Sequence, residues 1–254
     1  MRVALTRAVS PAIAHCELTH LARESIDVAR AIAQHTAYEQ TLQDLGCQVL
    51  RVPPAPDLPD AVFIEDTAVV LDEVAIATRP GAASRRAEVD AVAEAIRAWR
   101  QVVRIEAPGT LDGGDVLRAG RTLFVGMSDR TNADGIEQLR SHVAPFGYQV
   151  VPVSLTGCLH LKTGVTAIAP DTLLINRRWI DATAFGDFTL VDIDPDEPFA
   201  ANALRIGDVV LLDAAHERTA ARVAALGLHV QLVDNSELAR AEGGLTCCCV
   251  LVES

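Results

Sequence analysis

Three cysteines stand in a row at Cys247, Cys248 and Cys249, delivered by Gly243-Gly244-Leu245-Thr246 and followed by Val250-Leu251-Val252. An ionised cysteine is a strong nucleophile, yet a thiol in a buried, β-prone run serves equally well as a small hydrophobe. Catalysis therefore requires a base and a substrate cradle from elsewhere in the chain. The base is offered by His160, in Leu159-His160-Leu161-Lys162-Thr163-Gly164. Acids are offered by Asp60, Glu65 and Asp66, within a stretch otherwise fit for burial, and by Asp112 beside Gly113-Gly114-Asp115. A carboxylate in a buried stretch is costly unless it is paired or faces a polar cavity. Arg85 and Arg130 fall in the first turn of predicted helices, where a cation opposes the helix dipole by about 0.3–1 kcal/mol. That placement points to an anionic partner such as a ligand carboxylate.

The elements that must position these groups recur. A strand over 3–7, a helix over 26–45 with apolar residues at Ile26, Ala29, Ile32, Ala33, Leu42 and Leu45, and a strand over 47–52 form the first unit. Gly46 stands where a helix C-cap is followed by a left-handed residue. The second unit has strands over 61–71 and 74–78, a helix over 84–99 with Val89, Val92, Ala93, Ile96 and Trp99 on one face, and a strand over 102–105. The third runs 109–117, 122–126, a helix over 129–146, then 149–153. The fourth runs 159–169, 172–176, a short helix over 181–185, then 189–193. The fifth begins at Asn202 and continues through 209–212, a helix over 216–226 and a strand over 229–233. Repeats of about 45 residues signal a propeller or solenoid. The first unit lacks one strand before its helix, and a closing strand over 245–252 supplies it. The expected fold is α/β, a five-bladed α/β-propeller of strand-strand-helix-strand units, in a single domain over residues 1–254. Four units place acids, a histidine or cysteines at one end of equivalent strands, so these groups are expected to share a central pocket. Alternating side chains on a strand allow only one or two of the three cysteines to face it.

The whole chain has 254 residues, half of them hydrophobic, and a net charge of −12. Without a Lys/Arg run, that balance disfavours nucleic acid and anionic membranes and suits a cationic ligand. No secretory leader follows Met1, no apolar run approaches the length of a membrane helix, and the six cysteines lack zinc or disulfide spacing. The expectation is a cytoplasmic protein with reduced thiols. Taken singly, His160 reads as an ordinary interior histidine, Asp112 as a turn residue, and the arginines as surface charges. Cys247, Cys249 and His160 as zinc ligands lack a recognisable spacing.

Taken jointly, the segments 60–66, 78–86, Leu111-Asp112-Gly113-Gly114-Asp115, Arg130-Thr131-Asn132, 159–164 and Leu245-Thr246-Cys247 resemble the dimethylarginine dimethylaminohydrolases, guanidino-modifying enzymes of the pentein fold. The resemblance runs essentially the whole length. It implies a hydrolase without metal or other cofactor that converts Nω-methylated arginine to citrulline and a methylamine. By motif position it makes Cys247 the nucleophile, His160 the acid/base and Asp112 the orienting acid, a place some relatives fill with Glu. Asp66 then grips the guanidinium, while Asp60, Glu65, Arg85 and Arg130 bind the rest of the substrate. Leu18 corresponds to a lid residue and Ala241 to a backbone contact. Glu17, in the lid, departs from the family pattern. The implied partner is a small molecule, a methylated arginine or related guanidino amino acid, with a homodimer left open. The alternatives are an arginine deiminase, a hydrolase of another N-substituted arginine, and a non-catalytic pentein binding platform.

Overall fold

The structure, a computed structural model, describes residues 2–253. β1 (Arg2–Thr6) pairs in parallel with β2 (Cys47–Arg51) after the chain passes through helix α1 (Val28–Asp44). The next three units share one pattern: an antiparallel hairpin, a helical connection, then a strand parallel to the hairpin's second arm. They are β3 (Ala68–Val70), β4 (Val74–Ala77), α2 (Val89–Ile96) and β5 (Gln101–Arg104); β6 (Val116–Ala119), β7 (Thr122–Met127), α3 (Ala133–Val143) and β8 (Gln149–Ser154); and, after helix α4 (Leu161–Gly164), β9 (Val165–Ala169), β10 (Thr172–Ile175), the 3₁₀ turn Ala182–Phe185 and β11 (Thr189–Asp192). β12 (Leu204–Ile206), β13 (Val209–Asp213), α5 (Glu217–Ala224) and β14 (His229–Val233) make the fifth. Helix α6 (Ser236–Ala239) leads to β15 (Val250–Glu253), which returns antiparallel to β1 with Val252 opposite Val3. Ring closure by the last strand is therefore as the repeat predicted.

The first strand of each unit lies innermost. β15 lies against β3, β6 against β9, and β9 against β12, and residues of all five line an axial cavity of about 490 Å³. The apolar core sits between blades. Leu5, Val52, Ala75, Val92, Ile96 and Val252 join the first unit to the second, and Val74, Leu111, Leu123 and Ile136 join the second to the third.

Two expectations are corrected. The long first strands do not exist as such. Residues 61–71 become a turn, the 3₁₀ segment Ile64–Thr67 and short β3; 109–117 become the 3₁₀ segment Gly113–Asp115 and the start of β6; 159–169 become α4 and β9; and 245–252 become the 3₁₀ segment Thr246–Cys248 and β15. Four of the five inner strands are thus preceded by one tight turn, and those turns pack on one another around the axis. Likewise α1 buries Ala31, Gln34, His35, Tyr38, Glu39 and Leu42, while Ile32 is 47% exposed. Its inward face is specified by polar pairing rather than apolar periodicity: Glu39 accepts from Thr6 Oγ1 at 2.6 Å and pairs with Arg51.

The turns meet closely enough to require glycine. A Cβ on Gly113 would sit 2.0 Å from the Glu65 carbonyl oxygen. Gly113→Ala is therefore expected to lower unfolding stability by about 1–3 kcal/mol, measured by urea denaturation.

Candidate active site

Because the turns converge at one end of the ring, side chains distant in sequence open onto a single cavity. It is lined by Glu17, Asp60, Phe63, Asp66, Arg85, Arg130, Leu159, His160, Ala241, Glu242 and Cys247 and holds about 20 Å³. The three cysteines separate completely. Cys247 is half-buried at the cavity, and its Sγ accepts a hydrogen bond from Gly244 N–H at 3.3 Å. Cys248 is sealed in the core, and Cys249 lines the axial cavity on the other side. A 3₁₀ turn at Thr246–Cys248, rather than a strand, produces this separation, and it prevents Cys247, Cys249 and His160 from forming a ligand set.

His160 is 4% exposed. Its Nε2 lies 3.0 Å from Asp112 Oδ2, and the other Asp112 oxygen accepts from Gly81 N–H at 2.9 Å. Asp112 thus fixes the ring from behind. Nδ1 is left on the side of Asp66, 3.8 Å from its Oδ1. Burial alone would favour the neutral ring, but Asp66, the Asp112 hydrogen bond and nearby Asp115 raise the His160 pKa to about 9. The imidazole is protonated at neutral pH.

Asp66 connects three units. It accepts from Gly114 N–H at 2.9 Å, pairs with Arg85 Nη1 at 2.5 Å and faces His160. Burial works against its charge, yet His160, Arg85 and the Gly114 N–H hold its pKa down at about 2. Arg85 lies in the 3₁₀ segment Ala83–Glu88. Its Nε and Nη2 make a two-pronged pair with Glu88 at 3.1 and 2.8 Å, and Nη2 also reaches the carbonyls of Phe63 and Asp60. Of five guanidinium protons, one on Nη1 is left for a ligand. Arg130 is not in the helix that the sequence suggested, because α3 begins at Ala133 behind the Asn132 cap. It stands at the cavity mouth, its Nη2 donating to Thr19 Oγ1 at 3.1 Å, with no carboxylate within 4 Å among the described residues.

The sulfur sits in a negative field. Burial first, then Glu65 and Asp66, push the Cys247 pKa far up, and the Gly244 N–H and Lys162 only partly offset this. The resting pair is thiol and imidazolium.

Several expected residues lie elsewhere. Glu65 does not line the cavity. It accepts from Lys162 Nζ at 2.6 Å and from Thr246 Oγ1 at 2.7 Å, forming a floor that borders the axial cavity. The larger cavity lacks the cysteine–histidine pair, so chemistry selects the smaller one. Leu18 packs on the core of the first and fifth units and is not a wall residue. Ala241 is one. Sequence reading missed Glu88 and Glu242. Glu242 holds φ 59°, rare for a residue with a side chain, and its carboxylate accepts from the successive N–H groups of Thr19, His20 and Leu21 at 2.5–3.1 Å. Glu17 N–H donates to Asp60, and Glu17 Oε1 accepts from Ser84. The loop over 17–21 is thereby closed across the cavity. Asp66, Asp112 and His160 bring three ligand-capable atoms within 4.8 Å. A metal there would have to displace the Asp112–His160 bond.

The family profile described as "N,N dimethylarginine dimethylhydrolase, eukaryotic" matches residues 14–249. An N(G),N(G)-dimethylarginine dimethylaminohydrolase of Streptomyces coelicolor is 43% identical over 96% of this chain and 94% of its own length. The solved structure of a dimethylarginine dimethylaminohydrolase from Pseudomonas aeruginosa, a cysteine-to-serine mutant complexed with citrulline, superposes with a TM-score of 0.93 at 34% identity over 98% of each chain. A histidine-to-glycine dimethylarginine dimethylaminohydrolase in an adduct with S-methyl-L-thiocitrulline superposes at 0.92 with 33% identity, over 99% of this chain and 100% of the other. With the five-unit ring, its shared cavity and these likenesses together, the chain belongs to the dimethylarginine dimethylaminohydrolase family.

Proposed function

We infer that this chain hydrolyses Nω-methylated arginine to citrulline and a methylamine, with Cys247, His160 and Asp112 carrying the reaction. The observation that supports it most is the meeting of one thiol, one protonated imidazole and Asp66 at a cavity whose mouth holds Arg130. Acids outnumber cations at the deep end, where Asp66 and Asp112 face one imidazolium, His160. A guanidinium is the charge that end lacks. The substrate carboxylate would then lie toward Arg130 and the spare N–H of Arg85, while Asp60 and the Ala241 backbone take the amino end.

In this scheme the guanidinium first changes the sulfur. A cation beside Cys247 offsets the field of Glu65 and Asp66, and the thiol loses its proton to solvent. The thiolate forms a bond to the guanidinium carbon, and His160 Nδ1–H protonates the methylated nitrogen as its bond to carbon breaks. A thiouronium adduct on Cys247 remains. The now neutral His160 takes a proton from water, whose oxygen bonds to the same carbon. The carbon–sulfur bond then breaks, the proton of the new hydroxyl passes to the departing sulfur, and citrulline is released with the thiol restored. Asp112 keeps the ring aimed and stabilises its charged form without itself being protonated. These steps draw on side chains and water alone. A reducing cytoplasm suits the six unpaired thiols.

A panel of substrates tests this reading. Citrulline release from asymmetric dimethylarginine and monomethylarginine should exceed that from arginine; the reverse order would make the chain a deiminase. Cys247→Ser should abolish turnover, with Cys248→Ser and Cys249→Ser retaining most of it, and a haloacetamidine reagent should label one cysteine per chain. No label and no turnover would favour a binding platform.

The ionisation pattern predicts the pH response. His160 must enter the first step protonated, so kcat/KM should fall on the alkaline side with an apparent pKa near 9, read from a pH–rate profile. Folding follows the same signs. His160 is raised in the folded chain, so its stabilisation is complete below about 6.5 and is lost as pH rises through about 9. Asp66 is depressed, so its contribution is present above about 3.8 and is lost as pH falls toward 2. Thermal melting across pH checks both limbs.

A further inference from the structure

Asp115 has no part in the scheme above, yet it is wholly buried. Among the described residues no lysine or arginine lies within 4 Å of its carboxylate. An unpaired carboxyl at such depth is costly unless its oxygens are fully hydrogen-bonded, and here they are. Oδ1 accepts from Leu161 N–H at 3.0 Å; Oδ2 accepts from Ser128 Oγ at 2.5 Å and from Thr131 Oγ1 at 2.7 Å. A Cβ placed on Gly126 would come within 2.6 Å of Oδ1, so the carboxyl lies close against the Gly126 backbone.

Each of those three donors is attached to a different part of the site. Leu161 opens α4 and directly follows His160. Ser128 Oγ also accepts from Arg130 N–H at 3.0 Å, and Thr131 Oγ1 from Asp112 N–H at 3.2 Å. One carboxyl therefore ties together the turn bearing the imidazole, the acid behind it and the loop bearing the cation at the mouth.

We propose that Asp115 is a positioning residue for the reaction, holding His160, Asp112 and Arg130 in a common register through Leu161, Thr131 and Ser128. This rests on the hydrolase reading above. The placement also affects charge: burial raises the Asp115 pKa to about 6 against the pull of His160 and the two hydroxyls. In return Asp115 helps keep His160 protonated, together with Asp66 and Asp112, while Cys247 and Arg85 line the same cavity.

The test uses the full chain. Asp115→Asn keeps shape and loses charge. Its kcat for citrulline release from dimethylarginine should fall about 10- to 100-fold, as expected for a misplaced catalytic group, and the His160 titration followed by NMR should move below about 9. Two further variants split the effect. Thr131→Val, which removes the acceptor for Asp112 N–H, should lower kcat, with Thr131→Ser restoring it. Ser128→Ala should mainly raise KM through Arg130. A folded Asp115→Asn with unchanged kcat, KM and His160 titration overturns the proposal. If that variant does not fold, wild-type kinetics in both Thr131→Val and Ser128→Ala overturn it instead. Inactivity of the unaltered chain on methylated arginines would sink the hydrolase reading alone, since the NMR shift is read without turnover.

Discussion

The Asp66 carboxylate is the point through which three blades are joined. It is charged while buried because Arg85 from its own unit, the Gly114 N–H from the next and His160 from the one after all favour that charge. Removing one partner of a buried ion pair typically costs about 3–5 kcal/mol, because the other is left uncompensated. The glycines follow from the same constraint, since a Cβ on Gly114 would lie 2.6 Å from Asp66 Oδ1 and 2.7 Å from His160 Nδ1. Ring closure brings the blades together, and this ion cluster sets how near their turns approach.

The closed loop over 17–21 imposes the opposite requirement. A cavity of about 20 Å³ holds roughly one water and cannot admit a guanidino amino acid until that loop moves. The contacts holding it shut suit reversible opening. Glu242 gathers three backbone N–H groups, yet does so from a left-handed conformation costing about 1–3 kcal/mol for a residue with a side chain. Charge-assisted bonds from three successive N–H groups hold the loop closed.

Much of the architecture was legible because it rests on repetition. Strand, strand, helix and strand recur at even spacing, and the missing strand of the first unit fixed where the chain's end must go. What period-based reading could not see is the tight turn before four of the five inner strands. Buried acids bonded to backbone N–H groups, and glycines meeting a neighbouring turn, leave no hydrophobic period to count. The same limit misassigned the inward face of α1, where Gln34 and Glu39 are buried through polar partners and His35 is buried with its Nε2 unpaired. Within the site, Cys247, His160, Asp66, Asp60, Arg85, Arg130 and Ala241 reach the cavity wall and Asp112 stands behind His160, while Glu65 turns to the floor and Leu18 to the core. Glu242 left no sequence signal at all, since its role depends on a loop more than 220 residues earlier folding back over it.

The thiol is the last consequence of this arrangement. Burial first, then Glu65 on the floor and Asp66 at the cavity, raise the pKa of Cys247, so an acid that faces the ligand also helps keep this thiol protonated without one. A lone thiol in that field is a poor nucleophile and a poor metal ligand, because both roles belong to the thiolate. The charge that reverses the field arrives only with a cationic ligand. Neutral citrulline no longer supplies it, so product formation returns the sulfur to its unreactive form. Binding selectivity and nucleophile activation are thus one electrostatic effect, and weakening the acids to free the thiolate would also weaken the hold on the substrate that needs it.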